Sequence, residues 1–185
     1  YSTSRGIKGL RQAVANYYGN RFGVELDIET EVIVTLGSKE GLANLASAIS
    51  APGDVVLVPN PSYPIHPYGF VIAGANVCPV RVGDGLDLMA EIKSAALKVS
   101  PRPKALVLNF PNNPTGTYLS IEELMALRHG LPEETILVID SAYAEYVEKS
   151  DYSDGINLVN KYDNIVCTRT FSKIYGLAAL RIGWM

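Results

Sequence analysis

One lysine near the end of the sequence has neighbours suited to covalent chemistry. Lys173 follows an apolar run at residues 165–166 and lies close to Thr170, Ser172 and Arg181. Partial removal from water helps a lysine amine to lose its proton, and a neutral amine can condense with a carbonyl to form a Schiff base. Hydroxyl and guanidinium groups bind phosphate. The segment suggests a carbonyl compound that carries a phosphate, such as pyridoxal phosphate, although a lone lysine at a strand end is as often a solvated surface residue.

An acidic residue and a tyrosine could serve the same ligand. Asp140 ends a strand-like run of hydrophobic residues, 136–139, and a carboxylate there could pair with a protonated ring nitrogen and keep a pyridine cationic. It could also cap a helix or pair with a surface lysine. Tyr143 follows three residues later and could donate to a phenolic oxygen on the same ring, or it could pack in the core beside Tyr146.

Three further segments offer polar or aromatic groups. Asn113 lies in the turn 112–116 directly after an apolar strand, where its amide could point into a cleft, although this is also ordinary turn chemistry. Ser38 and Lys39 open a helix, whose free amides and dipole attract anions, and N-capping is the simpler explanation. Tyr63 lies between prolines and offers a flat face for stacking, or it covers the core as a loop residue.

Helical and extended patterns alternate along the chain and predict the elements that position these residues. Ser38 is expected to cap one helix, and Ser120 with Glu123 has the spacing of a capping box. Predicted helices lie near residues 7–17, 38–49, 67–75, 88–96, 120–127 and 156–161, with a proline-rich turn at 59–64. Predicted strands lie at residues 32–36, 55–58, 77–82, 105–110, 136–139 and 165–168.

Strands that are apolar on both faces and alternate with helices indicate a three-layer α/β/α fold with a mostly parallel sheet. No repeat or linker interrupts the chain, so a single domain over residues 1–185 is predicted. Ligands of such folds bind beyond the carboxyl ends of the strands. The strongest candidates for chemistry all fall there: Ser38, Tyr63, Asn113, Asp140 and Lys173.

Composition excludes several other classes of function. The chain has 185 residues, of which 48% are hydrophobic and 19% charged, which is typical of a globular domain. Its net charge of −3 and lack of a basic run argue against nucleic-acid binding, and no apolar stretch predicts a membrane span. Cys78 and Cys167 are expected to be buried thiols of a reducing compartment rather than a disulfide or a metal site. A cytoplasmic protein without a bound metal is expected.

Four linked motifs resemble the class I/II aminotransferases, which are pyridoxal-phosphate enzymes of fold type I. The motifs occur in the family's order and spacing, and the resemblance covers essentially the whole chain. They are Asn112-Asn113-Pro114-Thr115-Gly116, Asp140-Ser141-Ala142-Tyr143, Thr170-Phe171-Ser172-Lys173 and Arg181-Ile182-Gly183. The resemblance implies the large, cofactor-binding domain of that fold, and transfer of an amino group between an amino acid, or an amino-alcohol phosphate, and a 2-oxo acid.

The resemblance also implies a role for each matching residue. Lys173 would hold pyridoxal phosphate as a Schiff base and then move the proton between the substrate and the cofactor. Asp140 would bond the pyridine nitrogen, Asn113 and Tyr143 the phenolic oxygen, and Tyr63 would stack on the ring. The phosphate would be bound by Ser38, Lys39, Thr170, Ser172 and Arg181. Tyr1 looks like the tyrosine that reaches the neighbouring subunit's phosphate, which implies a homodimer.

The resemblance leaves the substrate and the exact reaction open. Segments 37–42 and 59–66 look like alanine- and aspartate-type aminotransferases, whereas segments 142–146 and 168–177 are more similar to histidinol-phosphate aminotransferases. A decarboxylase, a carbon–sulfur lyase or a cyclopropane-forming synthase on the same fold is an alternative, as is a non-catalytic module. The chain begins without methionine and ends in an apolar segment, so a fragment without the small domain and its substrate-carboxylate arginine is expected.

Overall fold

A computed structural model describes residues 3–83 and 85–185 of the chain. In these ranges the strands form one seven-stranded sheet with the order β1-β7-β6-β5-β4-β2-β3. Strands β2 to β6 run parallel to one another, and β7 pairs antiparallel with both β6 and β1. The predicted mostly parallel sheet is therefore confirmed.

The helices and strands alternate along the described chain. The α-helices are α1 (Lys8–Phe22), α2 (Ser38–Ile49), α3 (Ile65–Ile72), α4 (Leu88–Leu97), α5 (Ile121–Gly130) and α6 (Ile156–Val159). The strands are β1 (Val34–Thr35), β2 (Val55–Asn60), β3 (Asn76–Arg81), β4 (Ala105–Asn109), β5 (Ile136–Asp140), β6 (Ile165–Thr170) and β7 (Gly183–Trp184). Two 3₁₀ turns lie at Ala144–Tyr146 and Ala178–Leu180.

Successive strand residues point into apolar cores on opposite faces of the sheet. Leu57, Leu106 and Leu137 pack on one face with side chains of α1, α4, α5 and α6. Val56 and Val138, one position away along their strands, pack on the other face with α2 and α3. All five are fully buried, and each such burial contributes about 1.5–3 kcal/mol. The helices thus cover both faces, which gives the three predicted layers.

The element predictions are confirmed in type and corrected at several ends. The capping box of α5 is present, with Ser120 accepting from the amide of Glu123 and Glu123 accepting from the amide of Ser120. Ser38 was expected to cap α2, but Gly37 occupies the N-cap position and Ser38 is the first helical residue. Strand β2 continues through Pro59 to Asn60, because both residues pair with β3 and so extend into the predicted turn.

The two cysteines differ in burial. Cys167 is buried as predicted, but Cys78 is only half-buried because it lies on the edge strand β3. Both thiols are free.

Within residues 3–83 and 85–185 no helix has both the length and the apolar character needed to span a bilayer.

Candidate active site

The loops at the carboxyl ends of β4, β5 and β6 and the start of α2 enclose a cavity of about 220 Å³. Asp140 and Lys173 both line it, so they lie on the same side of the sheet, as the predicted chemistry requires. Every predicted site residue that the structure describes lines this cavity, and Tyr1 lies outside the described residues. The predicted residues on its wall are Ser38, Lys39, Tyr63, Asn113, Asp140, Tyr143, Thr170, Ser172, Lys173 and Arg181.

Asp140 is a buried carboxylate that two side chains hold in place. It is the last residue of β5 and is 4% exposed. The hydroxyl of Thr168 donates to Oδ1 at 2.9 Å, and Nε2 of His66 lies 2.9 Å from Oδ2. A carboxylate can accept about four hydrogen bonds. Asp140 can therefore accept a further bond from a protonated ring nitrogen without losing these two.

His66 and Asn109 support the site, although the sequence patterns did not single them out. His66 lies on α3, is 1% exposed, and its Nδ1 has no hydrogen-bond partner among the described residues. Asn109 ends β4 and is also buried. Its side chain donates to the carbonyl of Asp140 at 3.2 Å and accepts from the amide of Asn113 at 2.9 Å. A polar residue at the end of a strand, where ligands bind, was the signal that could have identified Asn109.

Asn113, Tyr143 and Lys173 form a connected group on the cavity wall. Nδ2 of Asn113 donates to the hydroxyl oxygen of Tyr143 at 3.3 Å, which leaves the phenolic hydrogen free to donate into the cavity. The Nζ of Lys173 lies 4.8 Å from the centre of the Tyr143 ring. Within the described chain no carboxylate lies within salt-bridge distance of Lys173. Its amine thus faces an aromatic ring rather than a counter-ion.

The start of α2 and the segment 170–183 form a cup with hydrogen-bond donors. Gly37 provides no side-chain cap in the described structure, so the first amides of α2 remain available to an anion. Ser172 accepts from Nη1 of Arg181 at 3.2 Å and from the hydroxyl of Thr170 at 2.8 Å. These hydroxyls and the guanidinium are therefore positioned beside the free end of the helix, as phosphate binding requires.

Two glycines allow the close approach that builds this cup. Gly37 has a φ of +79°, and a Cβ there would lie 2.4 Å from Nη2 of Arg181. A Cβ on Gly183 would lie 2.7 Å from the backbone nitrogen of Ser38. Arg181 itself has a φ of 52°, an unfavourable conformation for a residue with a side chain. Such strain persists where surrounding contacts enforce it, and Arg181 also donates to the carbonyl of Leu36 at 3.2 Å.

Tyr63 and Lys39 form the more exposed rim of the cavity. Tyr63 is 39% exposed, and its ring packs edge-on against His66 with centroids 6.3 Å apart. The Nζ of Lys39 lies 5.9 Å from the centre of the Tyr63 ring. His66 contacts both the ring of Tyr63 and the carboxylate of Asp140, and so keeps these two residues near each other. The ring of Tyr63 can therefore cover a flat ligand that is bonded to Asp140.

A wider groove borders the cavity and shares two residues with it. The groove has a volume of about 730 Å³, and Asn113 and Tyr143 belong to the walls of both. Tyr118, Tyr146 and Lys149 line its outer part. The cavity therefore opens next to Asn113 toward a region large enough for a second molecule.

The donors and acceptors of the cavity match the groups of pyridoxal phosphate. The carboxylate of Asp140 has unused lone pairs and can accept a hydrogen bond from a ring nitrogen. The phenol of Tyr143 has a free hydrogen and can donate it to a ring oxygen. The uncapped helix start with Arg181 suits the phosphate, and the amine-bearing residue Lys173 lines the same cavity. Because each group has its own complementary partner on the cavity wall, the residues present fit this cofactor.

Comparison with known proteins shows that the chain is similar to aminotransferases. The chain is 46% identical to the glutamate-pyruvate aminotransferase AlaC of Escherichia coli over 100% of the chain and 45% of that protein. It is 44% identical to a histidinol-phosphate aminotransferase of Rhodopseudomonas palustris over 95% of the chain and 46% of that protein. The chain therefore spans about half the length of the curated relatives it matches.

Solved structures and the family model extend this result. A mutant aspartate aminotransferase of Thermus thermophilus superposes with a TM-score of 0.86 at 32% identity, over 100% of this chain and 50% of that one. The family model for aminotransferase class I and II matches residues 1–185. With the fold, the order of the motifs and the family model in agreement, the chain belongs to the class I and II aminotransferases.

Proposed function

We propose that residues 1–185 form the cofactor-binding large domain of an aminotransferase and bind pyridoxal phosphate through Lys173. Enzymes of this family use that cofactor. The observation that carries the proposal is the convergence of the predicted side chains, taken from five separate segments of the chain, on one cavity of about 220 Å³. Convergent polar groups in a cleft beyond a parallel sheet are typical of such a site.

Each residue has a definite task in the proposed reaction. Pyridoxal phosphate supplies a carbonyl carbon and an electron-withdrawing ring. Lys173 would provide the nucleophilic nitrogen and also the base that moves a proton between the substrate's α-carbon and the cofactor's carbonyl carbon, which are separated by the transferred nitrogen. Asp140 keeps a proton on the ring nitrogen. Tyr143 donates to the ring oxygen, and Asn113 orients Tyr143 through its amide.

Phosphate binding fixes the position at which Lys173 reacts. The amides at the start of α2 and the guanidinium of Arg181 would hold the phosphate, while Thr170 and Ser172 would complete its hydrogen bonds. Ser172 is adjacent to Lys173 in sequence. Anchoring the ligand there therefore restricts the distance between its carbonyl carbon and Nζ, and such positioning accounts for a large share of catalytic rate.

Borohydride trapping tests the central step. Incubation of the chain with pyridoxal phosphate, followed by borohydride and peptide mass spectrometry, is expected to place a stable adduct on Lys173. The Lys173→Ala variant should give none. Lys149→Ala, which removes an exposed lysine from the neighbouring groove, is the matched control and should retain the adduct on Lys173. A visible band and adduct of equal size in Lys173→Ala would refute the proposal.

The substrates are proposed from the relatives. Glutamate with pyruvate, and histidinol phosphate with a 2-oxo acid, are the two pairs suggested by the names of the relatives. We propose that the whole enzyme transfers an amino group within one of these pairs. The test is an assay of both pairs with a polypeptide of the relatives' full length. Absence of keto-acid turnover together with release of carbon dioxide or a thiol would instead indicate a lyase.

A homodimer in the cytoplasm completes the proposal. Tyr1 resembles the family's tyrosine that would reach the phosphate of a second subunit, and the free thiols Cys78 and Cys167 suit a reducing compartment. Light scattering of the purified protein measures the assembly directly. A Tyr1→Phe variant should weaken cofactor binding if Tyr1 reaches the neighbouring site, and unchanged affinity would exclude that role.

A further inference from the structure

A buried ion cluster lies on the sheet face opposite the candidate active site. Arg169 precedes Thr170 on β6, so its side chain points away from the cavity that Thr170 lines. Arg169 is 3% exposed, and its guanidinium pairs through Nη1 with Asp154 and through Nη2 with Glu145. The side chains of both acids are also largely buried. A buried guanidinium that pairs with two carboxylates holds both of them in a fixed geometry.

The guanidinium of Arg169 remains charged around neutral pH. Burial by itself would lower the pKa of Arg169, but the nearby Tyr18, Asp154 and Glu145 side chains outweigh it, and the net pKa is raised. Asp154 is fixed in turn by the backbone. Its Oδ1 accepts from the amide of Ile156 at 3.2 Å, and its carbonyl accepts from the hydroxyl of Ser141 at 3.0 Å. The cluster is thus anchored to the segment that follows β5.

Glu145 connects this anchor to both loops that carry the proposed chemistry. It lies in the 3₁₀ turn two residues after Tyr143. Its Oε1, which pairs with Arg169, also accepts from the hydroxyl of Tyr175 at 3.2 Å. Tyr175 lies two residues after Lys173. One buried carboxylate oxygen therefore joins the Tyr143 loop and the Lys173 loop at the same point.

The loop around Lys173 is otherwise held by short-range contacts: Arg181 donates to the carbonyl of Ala178 at 2.8 Å, and the rings of Phe171 and Tyr175 pack with centroids 5.3 Å apart. The carbonyl of Lys173 accepts from the amide of Gly176 at 2.9 Å, and the amide of Leu177 donates to the carbonyl of Phe171 at 3.1 Å. Residues 174–180 are exposed. Burial raises the pKa of Tyr175, and the neighbouring Glu145 raises it further, so the phenol remains a donor at neutral pH. Its bond to Glu145 is the link from this exposed loop to the buried cluster.

We propose that Glu145 is a positioning residue, which sets the distance between Nζ of Lys173 and the ring of Tyr143 by holding both loops on Arg169. The proposal rests on the function proposed above, because it concerns how the same site is assembled. Glu145 does not line the cavity, and it acts through Tyr175 on one loop and through the 3₁₀ turn on the other. The observed separation of 4.8 Å is the quantity it would control.

Amide hydrogen exchange of the cofactor-free chain tests the link without any reaction. In Tyr175→Phe the amides of Gly176 and Leu177 should exchange about tenfold faster than in the wild type, because a hydrogen bond to a carboxylate no longer restrains the loop. The amides of β6 should be unchanged. Tyr118→Phe is the matched control, since Tyr118 donates to Asp151 at 2.9 Å away from this loop. Equal exchange in wild type and Tyr175→Phe would overturn the proposal.

A spectroscopic measurement separates positioning from general stability. With pyridoxal phosphate at saturation, Tyr175→Phe and Glu145→Gln should show a smaller visible circular dichroism per bound cofactor and a Kd raised by about tenfold. Tyr118→Phe should match the wild type in both. The double variant Tyr175→Phe/Glu145→Gln should be less than additive, because both changes act on the same hydrogen bond: Tyr175→Phe removes its donor, and Glu145→Gln replaces its charged acceptor with a weaker neutral one. Full additivity, or wild-type spectra in both single variants, would overturn the proposal.

The two measurements also distinguish this inference from the proposed function. If the wild-type chain takes up no pyridoxal phosphate, the proposed function fails, and faster exchange in Tyr175→Phe still supports the Glu145 link between the loops. If the chain binds the cofactor through Lys173 and exchange is unaffected by Tyr175→Phe, the proposed function stands and the positioning role of Glu145 is refuted.

Discussion

Asp140 shows how much of a functional residue's behaviour depends on neighbours distant in sequence. The position was predictable, because a carboxylate at the end of an apolar strand is unusual. Its partners were not, since His66 lies 74 residues earlier and reaches Asp140 only after α3 packs on the sheet. Lys173, Asn113 and Tyr143 were likewise predictable from their motifs. Their mutual contacts, such as the amide of Asn113 on the Tyr143 hydroxyl, required the folded chain.

Replacement of Asp140 tests the buried network. Asp140→Ala should lower the free energy of unfolding by about 3 kcal/mol, because the buried donors on His66 and Thr168 lose their acceptors. Asp140→Asn keeps an acceptor for Thr168 and should cost about 1 kcal/mol. Urea denaturation measures both values. An equal loss in the two variants would show that the hydrogen bonds to His66 and Thr168 do not determine stability here.

At the scale of elements, local sequence signals predicted well where helices and strands lie. They predicted poorly the features that depend on contacts between elements. The capping box at Ser120 and Glu123 was predicted because all its interactions lie within four residues. Strand β7 was not predicted as a strand, since the short segment Gly183–Trp184 forms a ladder only by pairing with β6 and with β1, and β1 lies near the other end of the sequence. The prediction that Ser38 caps α2 was also wrong. Gly37 takes the N-cap position with a positive φ, a conformation that favours glycine, and Ser38 is the first helical residue.

The capping box provides a direct stability test. Ser120→Ala should reduce the free energy of unfolding by about 1 kcal/mol, because the amide of Glu123 loses its acceptor at the start of α5. Ser47→Ala is the control. Ser47 is an exposed residue inside α2 whose hydroxyl bonds to its own helix, and alanine is a better helix former there. Thermal and urea unfolding both report the difference, and an equal loss in the two variants would contradict a capping role.

The glycine at the start of α2 provides a second test. Gly37→Ala should destabilise the chain by about 2 kcal/mol and weaken phosphate binding, since its φ is positive and the new Cβ would meet the guanidinium of Arg181. Gly53→Ala is the control, because Gly53 also has a positive φ but an added Cβ there meets nothing within 4 Å. Urea unfolding and titration with inorganic phosphate measure the effects. Identical losses in both variants would mean that contact with Arg181 is irrelevant.

At the scale of the whole molecule, buried tyrosine and cysteine side chains determine how the free energy of unfolding changes at alkaline pH. Burial raises the pKa of Tyr18, of Tyr152 and of Cys167 in the folded chain. In the unfolded chain the two tyrosines titrate near 10.0 and the thiol near 9.0. The unfolded state therefore releases protons first as pH rises. This contribution to stability is complete below pH 9.0 and is lost progressively above it.

Removal of one of these hydroxyls should flatten that pH dependence. Each tyrosine contributes up to about 1.4 kcal/mol per pH unit to the fall in unfolding free energy above pH 10. Tyr152→Phe should remove one such contribution, at the cost of the hydrogen bond to the carbonyl of Phe110 at neutral pH. Urea unfolding between pH 8 and pH 11 measures the slope. Tyr68→Phe, at an exposed tyrosine, is the matched control, and an identical slope in wild type and Tyr152→Phe would contradict the prediction.

The cup at the start of α2 is closed by residues that the ribosome makes long after the helix itself. Arg181 reaches the carbonyl of Leu36 across 145 positions of sequence, and Met185 exchanges two backbone hydrogen bonds with Ile33. Translation at about 5–20 residues per second separates their synthesis by on the order of ten seconds. During that interval the nascent chain lacks Arg181 and the residues that pair with Ile33, so the cup is incomplete. The cofactor binding that we propose would therefore have to follow the synthesis of residues 181–185.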